Sequence, residues 1–170
     1  YIPCAVTYTE ADFIFFVREE FMNSQRPDNH AETAIIEGRT LLVKAAVFAG
    51  PNLIKIYNIE IPNPKKDQVR IKLQGCGICA SNLPVWQGRD WFKYPLEPGY
   101  PGHEGWGVID EAGENVSRLK KGDRVTFLSD HSYAQYENVN ADAVVKLPDA
   151  LNQYPFLGEP FACAMNIQVI

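Results

Sequence analysis

Residues 68–74, Gln-Val-Arg-Ile-Lys-Leu-Gln, alternate strictly between polar and apolar side chains. Successive side chains of an extended chain point to opposite faces, so only a strand gathers Val69, Ile71 and Leu73 on one side. The same reading applies to "LLVKAAVF" from Leu41 and to "LIKIYNIEI", both rich in β-branched and aromatic residues. "WGVIDEAG", "DRVTFL", "SYAQYENV" and "AVVKLP" are further short strands, separated by Gly, Pro, Asn and Asp turns. Gly75 and Gly77 are predicted to break the strand that begins at Gln68. Many short strands with regular turn punctuation predict a mainly β domain, a small barrel or a sandwich. With 170 residues, 46% hydrophobic and 22% charged, the chain can bury a core of about one domain.

The two ends read differently. In residues 1–42, Thr9 with Asp12 resembles a capping pair, and Phe13, Phe16, Val17 and Phe21 fall at helical spacing. "NSQRPDNH" is a polar break, and "AETAIIEG" is a second short helix stopped at Gly38. No basic region precedes the apolar patch, so no signal peptide is expected. At the other end, "EPFACAMNIQVI" reads as the start of a helix, with Pro160 near its first turn. A net charge of −5 argues against nucleic acid and anionic membranes as partners. Four unevenly spaced cysteines do not make a disulfide scaffold, and reduced thiols in a cytoplasm are expected.

The chemistry-bearing residues lie in two glycine-rich stretches. In "GCGICASN", Cys76 and Cys79 have Cys-x-x-Cys spacing, which suits a zinc half-site, a redox pair, or one functional thiol beside a small apolar filler. A zinc ribbon needs a second pair, and the other cysteines are solitary. A thioredoxin-like pair needs a βαβ setting, which is missing. In "PGYPGHEGWG", His103 stands beside Glu104 among glycines at 102, 105 and 107, which are expected to let the backbone turn tightly and present the imidazole. Zinc accepts thiolate, imidazole and carboxylate together, and a catalytic site keeps one position open.

These residues resemble the zinc-dependent medium-chain dehydrogenases, typified by alcohol and polyol dehydrogenases. The signature of that family is matched by Gly102-His103-Glu104, Gly107, Gly113 and Val116 at the right intervals. "VKAAVFAGP", "GICASNL", "KKGDRV" and "GEPFACAMN" follow in the family's order, so the likeness spans residues 43–170. It implies a GroES-like, partly open β-barrel with short helices over residues 43–158. It also implies an extension of unassigned role over residues 1–42, and over residues 159–170 the start of a helix leading to a nucleotide-binding domain outside these residues. Carried over residue by residue, it makes Cys79 and His103 zinc ligands. Glu104 lies beside the metal or is a transient ligand, and Glu159 binds it directly or through water. Ser81 becomes the hydroxyl that relays the substrate's proton. Cys76 and Cys163 match no ligand position.

The implied activity is hydride transfer between an alcohol or polyol and NAD or NADP, with one catalytic zinc acidifying the hydroxyl. A homo-oligomer is expected for the intact protein. Three departures stand out. Asn82 replaces an aspartate that usually accepts the ligating histidine's hydrogen bond, which predicts weaker metal binding. The four-cysteine lobe for a structural zinc is missing, so no second zinc is expected. No Gly-x-Gly-x-x-Gly opens a strand–helix unit here, so these residues alone are not expected to oxidise alcohols. Of the aromatics Trp86, Trp91, Phe92 and Tyr94, implied to lie near the cleft mouth, packing is the expected role for any single one. Ser129, where the family often has a bulky pocket residue, would leave room for a larger or more polar substrate. The competing reading is a non-enzymatic interaction or regulatory module built on the same barrel.

Overall fold

The computed structural model describes residues 40–152 and 154–166. The helices expected before Gly38 lie outside the described residues. Strand β1 (Thr40–Gly50) turns back through a hairpin into β2 (Leu53–Pro62), forming a two-stranded antiparallel sheet. The remaining strands are β3 (Gln68–Gly77), β4 (Glu104–Ala112), β5 (Arg124–Phe127), β6 (Tyr136–Asn140) and β7 (Val144–Lys146). They make a five-stranded antiparallel sheet in the order β6-β3-β4-β5-β7. Two short helices complete the frame, α1 (Leu83–Gln87) and α2 (Gly158–Asn166).

The sheets are joined by the segment before β6. Ala46 N–H donates to the Tyr133 carbonyl at 2.8 Å and Gln135 N–H to the Lys44 carbonyl at 2.9 Å, while Leu73 N–H reaches the Gln135 carbonyl at 2.9 Å. Residues 133–135 therefore pair with β1 on one side and β3 on the other, curling the sheet into the partly open barrel. The expected strand "SYAQYENV" is thus divided: its first half is this connector and its second half is β6.

The alternation of residues 68–74 appears as a burial pattern. Val69, Ile71 and Leu73 are buried, while Lys72 is exposed. The three meet Ile109, Leu119, Val125, Phe127, Val139 and Val144 in one core cluster. Each such side chain contributes about 1.5–3 kcal/mol when fully buried. On the opposite face, the Arg70 guanidinium pairs with Asp110 and Glu111, both at 2.7 Å, tying β3 to β4.

Gly75 and Gly77 do not end β3. The ladder to β4 shifts register between Leu73 and Gly75 and then continues to the pair Gly77↔Glu104. A bulge absorbs the interruption, which is how a sheet next to a site bends without losing its pairing. Nor do the glycines around His103 supply a tight turn, since none of the three has a positive φ. They allow close strand packing: a Cβ on Gly107 would sit 2.2 Å from the Lys72 carbonyl oxygen of β3. Helix α2 begins at Gly158, with Pro160 in its first turn as expected.

Candidate metal centre and cleft

Two chain segments converge at the end of the β3–β4 pair. Cys79 follows β3 and precedes the single 3₁₀ turn Ala80–Asn82, which leads into α1. His103 immediately precedes β4, and Glu104 is its first residue. The strand pairing sets their separation. One donor atom from each of Cys79, His103 and Glu104 lies within 4.8 Å of the others. Glu104 is buried and packs so tightly on β3 that a Cβ on Gly77 would lie 1.9 Å from its Oε2. A side chain at position 77 would push that carboxylate from its place.

The donor set fits zinc, which takes thiolate sulfur, imidazole nitrogen and carboxylate oxygen together. The His103 ring supports this. Its Nδ1 lies 2.9 Å from the Pro101 carbonyl oxygen, a partner that can only accept, so Nδ1 carries a proton and Nε2 is the nitrogen left for Cys79 or a metal. The Cys79 thiol is held below its ordinary pKa by hydrogen bonds from the Ser81 side chain and backbone, then from His103. Burial opposes the charging of His103. The Cys79 side chain, the Pro101 carbonyl and the negative charges of Cys79 and Glu159 outweigh it and hold the imidazole above its ordinary value.

Cys76 is different in kind. It is paired opposite Gly105 inside the ladder, and its thiol is pushed up to about 12, chiefly by burial. Such a sulfur is a small apolar filler rather than a thiolate donor.

Glu159, on the first turn of α2, stands outside the 4.8 Å group but lines the same cavity as His103. Its Oε1 accepts a hydrogen bond from Cys163 Sγ at 2.9 Å, one helical turn on. Asn82 is buried, but it does not receive the histidine's hydrogen bond, which the Pro101 carbonyl takes. Its Nδ2 instead donates to Tyr133 Oη at 2.6 Å, and its Oδ1 lies 3.5 Å from Ser81 Oγ. The asparagine therefore anchors the Cys79–Ser81 turn to the connector beside β1. Sequence reasoning missed Pro101 and Tyr133, and only the proline's closeness to His103 could have signalled a role.

A cavity of about 640 Å³ opens beside the centre, lined by Ser81, Asn82, His103 and Glu159, and by Val85, Phe92, Tyr100, Pro101 and Leu128. Ser129 and Asp130 complete its wall. Of the four aromatics expected near the mouth, only Phe92 lines it. Trp86 packs edge-on against Phe48 with centroids 6.4 Å apart, Tyr94 donates to the Val85 carbonyl, and Trp91 is exposed.

Comparison with known proteins agrees with this architecture. Residues 65–149 match the family model of the alcohol dehydrogenase GroES-like domain. The quinone oxidoreductase of Sus scrofa is 36% identical over 127 residues, covering 72% of this chain and 38% of the relative. An alcohol dehydrogenase of Geobacillus stearothermophilus is 33% identical over 142 residues, covering 65% and 41%. The crystal structure of 2R,3R-butanediol dehydrogenase from Bacillus subtilis superposes with a TM-score of 0.54 at 28% identity, covering 63% of this chain and 41% of that one. The chain belongs to the medium-chain dehydrogenase family, through its alcohol dehydrogenase GroES-like domain. It spans about two fifths of the length of the relatives it matches.

Proposed function

We propose that this chain is the catalytic-domain portion of a zinc-dependent oxidoreductase that moves hydride between an alcohol or polyol and NAD(P). In this reading residues 43–158 form the catalytic domain, residues 159–170 lead toward a nucleotide-binding domain, and residues 1–42 are an extension. A cytoplasmic homo-oligomer with one catalytic zinc per chain and no structural zinc completes it. The observation that carries the reading is the sulfur, nitrogen and oxygen donor set of Cys79, His103 and Glu104 gathered within 4.8 Å beside a substrate-sized cleft.

When bound, zinc would acidify the substrate hydroxyl at near-neutral pH. Cys79 and His103 would hold it, with Glu104 or Glu159 completing the set. Ser81, exposed on the cleft wall beside Cys79, takes the substrate's proton and passes it to solvent. Asn82 keeps the Ser81 hydroxyl in place through its buried bond to Tyr133. Val85, Phe92 and Leu128 shield the reacting carbon from water on their side of the cleft. Retention of every donor argues against a purely structural or regulatory module, which needs none of them.

A second reading, an oxidoreductase acting on a quinone, is favoured by the name of the Sus scrofa relative, and in it the donor set holds no metal. Metal analysis separates the two. About one zinc per purified chain is expected, lost in Cys79→Ala and in His103→Ala and kept in Cys76→Ala. Loss in Cys76→Ala overturns the ligand assignment, and a wild-type chain that binds no zinc leaves the quinone reading standing.

A further inference from the structure

Part of the cleft wall is made by the residues that follow β5, Leu128, Ser129 and Asp130. Ser129 is half-buried there, and its hydroxyl proton is committed: Oγ donates to Glu137 Oε1. Glu137 is 8% exposed, and its other oxygen accepts the hydroxyl of the fully buried Ser132 at 2.9 Å. Ser129 Oγ also accepts His131 N–H at 3.3 Å. A hydroxyl has one proton and two lone pairs, so what Ser129 has left for the cleft is one lone pair. Asp130, next in sequence, is exposed on the same wall, and no hydrogen bond or ion pair engages its carboxylate among the described residues. A carboxylate is acceptor-only. One of the two N–H groups of the nearby Asn82 amide is taken by Tyr133. The Ser129 and Asp130 side chains therefore present acceptors and negative charge to the cavity, and Glu159 adds a second carboxylate to its lining.

We propose that Ser129 and Asp130 form a specificity element that selects substrates carrying a second hydrogen-bond donor, an ammonium or a hydroxyl, and rejects anionic ones. The proposal rests on the dehydrogenase reading above and narrows its substrate class. A ligand carbonyl or carboxylate placed against these two side chains would lose water and gain no donor from them, whereas an ammonium or hydroxyl would find two acceptors. The buried Glu137 carboxylate needs hydrogen-bond donors, and Ser129 supplies one of them. That arrangement fixes the hydroxyl as an acceptor toward the cleft.

The test is equilibrium binding of four carbinols that differ in one substituent: isopropanolamine, propylene glycol, sec-butanol and lactate. Each is titrated into the zinc-supplemented chain by nuclear magnetic resonance, with zinc content measured on the same samples. The amine and the glycol should bind about tenfold or more tighter than sec-butanol, with lactate weaker than the amine by at least that margin. Asp130→Asn should bring the amine down to the level of the glycol with zinc content unchanged, and Asp130→Glu should restore the preference. An amine-over-glycol preference that survives Asp130→Asn arises from chelation at the metal and overturns the proposal. Four ligands binding alike to a zinc-loaded chain also overturn it and leave the dehydrogenase reading intact. An Asp130-dependent order in a chain that holds no zinc sinks the zinc reading and keeps this one.

Discussion

Cys76 and Cys79 are three residues apart and have opposite chemistry. Cys76 sits within the β3–β4 ladder, where burial pushes its thiol up to about 12. Cys79 lies just past the end of the strand, where Ser81 and then His103 lower its pKa. Reactivity of a thiol follows its thiolate fraction and its access. In metal-free protein at mildly alkaline pH, iodoacetamide should therefore modify Cys79 at least about tenfold faster than Cys76, read by peptide mass spectrometry. Zinc should protect Cys79 alone. Equal rates would show that the two thiols share an environment. Spacing could not make this distinction, because Cys-x-x-Cys carries no information about where the strand ends. Cys79 was legible only together with His103 and Glu104. Asn82 stood out by residue type, but its partner did not: the Tyr133 hydroxyl comes from fifty-one positions away and is brought in by the curl of the sheet.

At the level of elements, the strands were readable wherever one face is buried and the other wet, as in residues 68–74. They were not readable where β3 continues through Gly75 and Gly77, because a bulge depends on the partner strand and leaves no periodic trace. The β5–β7 pair carries a device that makes stability depend on pH. The Asp123 carboxylate, immediately before β5, accepts a hydrogen bond from Lys120 N–H at 3.0 Å and pairs with Lys146 Nζ of β7 at 2.7 Å. Burial works to raise its pKa, but the Lys146 and Lys120 contacts prevail and hold it below the ordinary 3.8. A depressed carboxylate contributes stability that is present above the unfolded-state pKa and lost as pH falls through the folded one. Asp123→Asn should therefore lower the melting temperature at neutral pH and flatten its decline below about pH 4. Melting curves of the two proteins that stay parallel through the acid range would exclude that role.

For the whole molecule, the candidate ligands come from the end of β3, the start of β4 and the first turn of α2, so a bound metal would clamp segments distant in sequence. A ligand that binds only the folded state stabilises it by mass action, about 2.7 kcal/mol at a hundredfold excess over Kd. For a domain of this size that is a rise of about 5–10 °C in Tm. Adding EDTA to the zinc-loaded chain should reverse it, and calorimetry that finds no change would mean that the folded state holds no zinc. The sequence by itself determined the mainly β class, the strands with one wet face, and the family through Gly102-His103-Glu104, Gly107, Gly113 and Val116, because periodicity and residue chemistry at fixed spacing are local. Only the tertiary structure decided which donor atoms meet, that Pro101 rather than Asn82 holds the His103 ring, and that the Ser129 hydroxyl proton goes to Glu137. Those outcomes depend on strand register and on the curl of the sheet, and both are set by pairing between segments far apart in the chain.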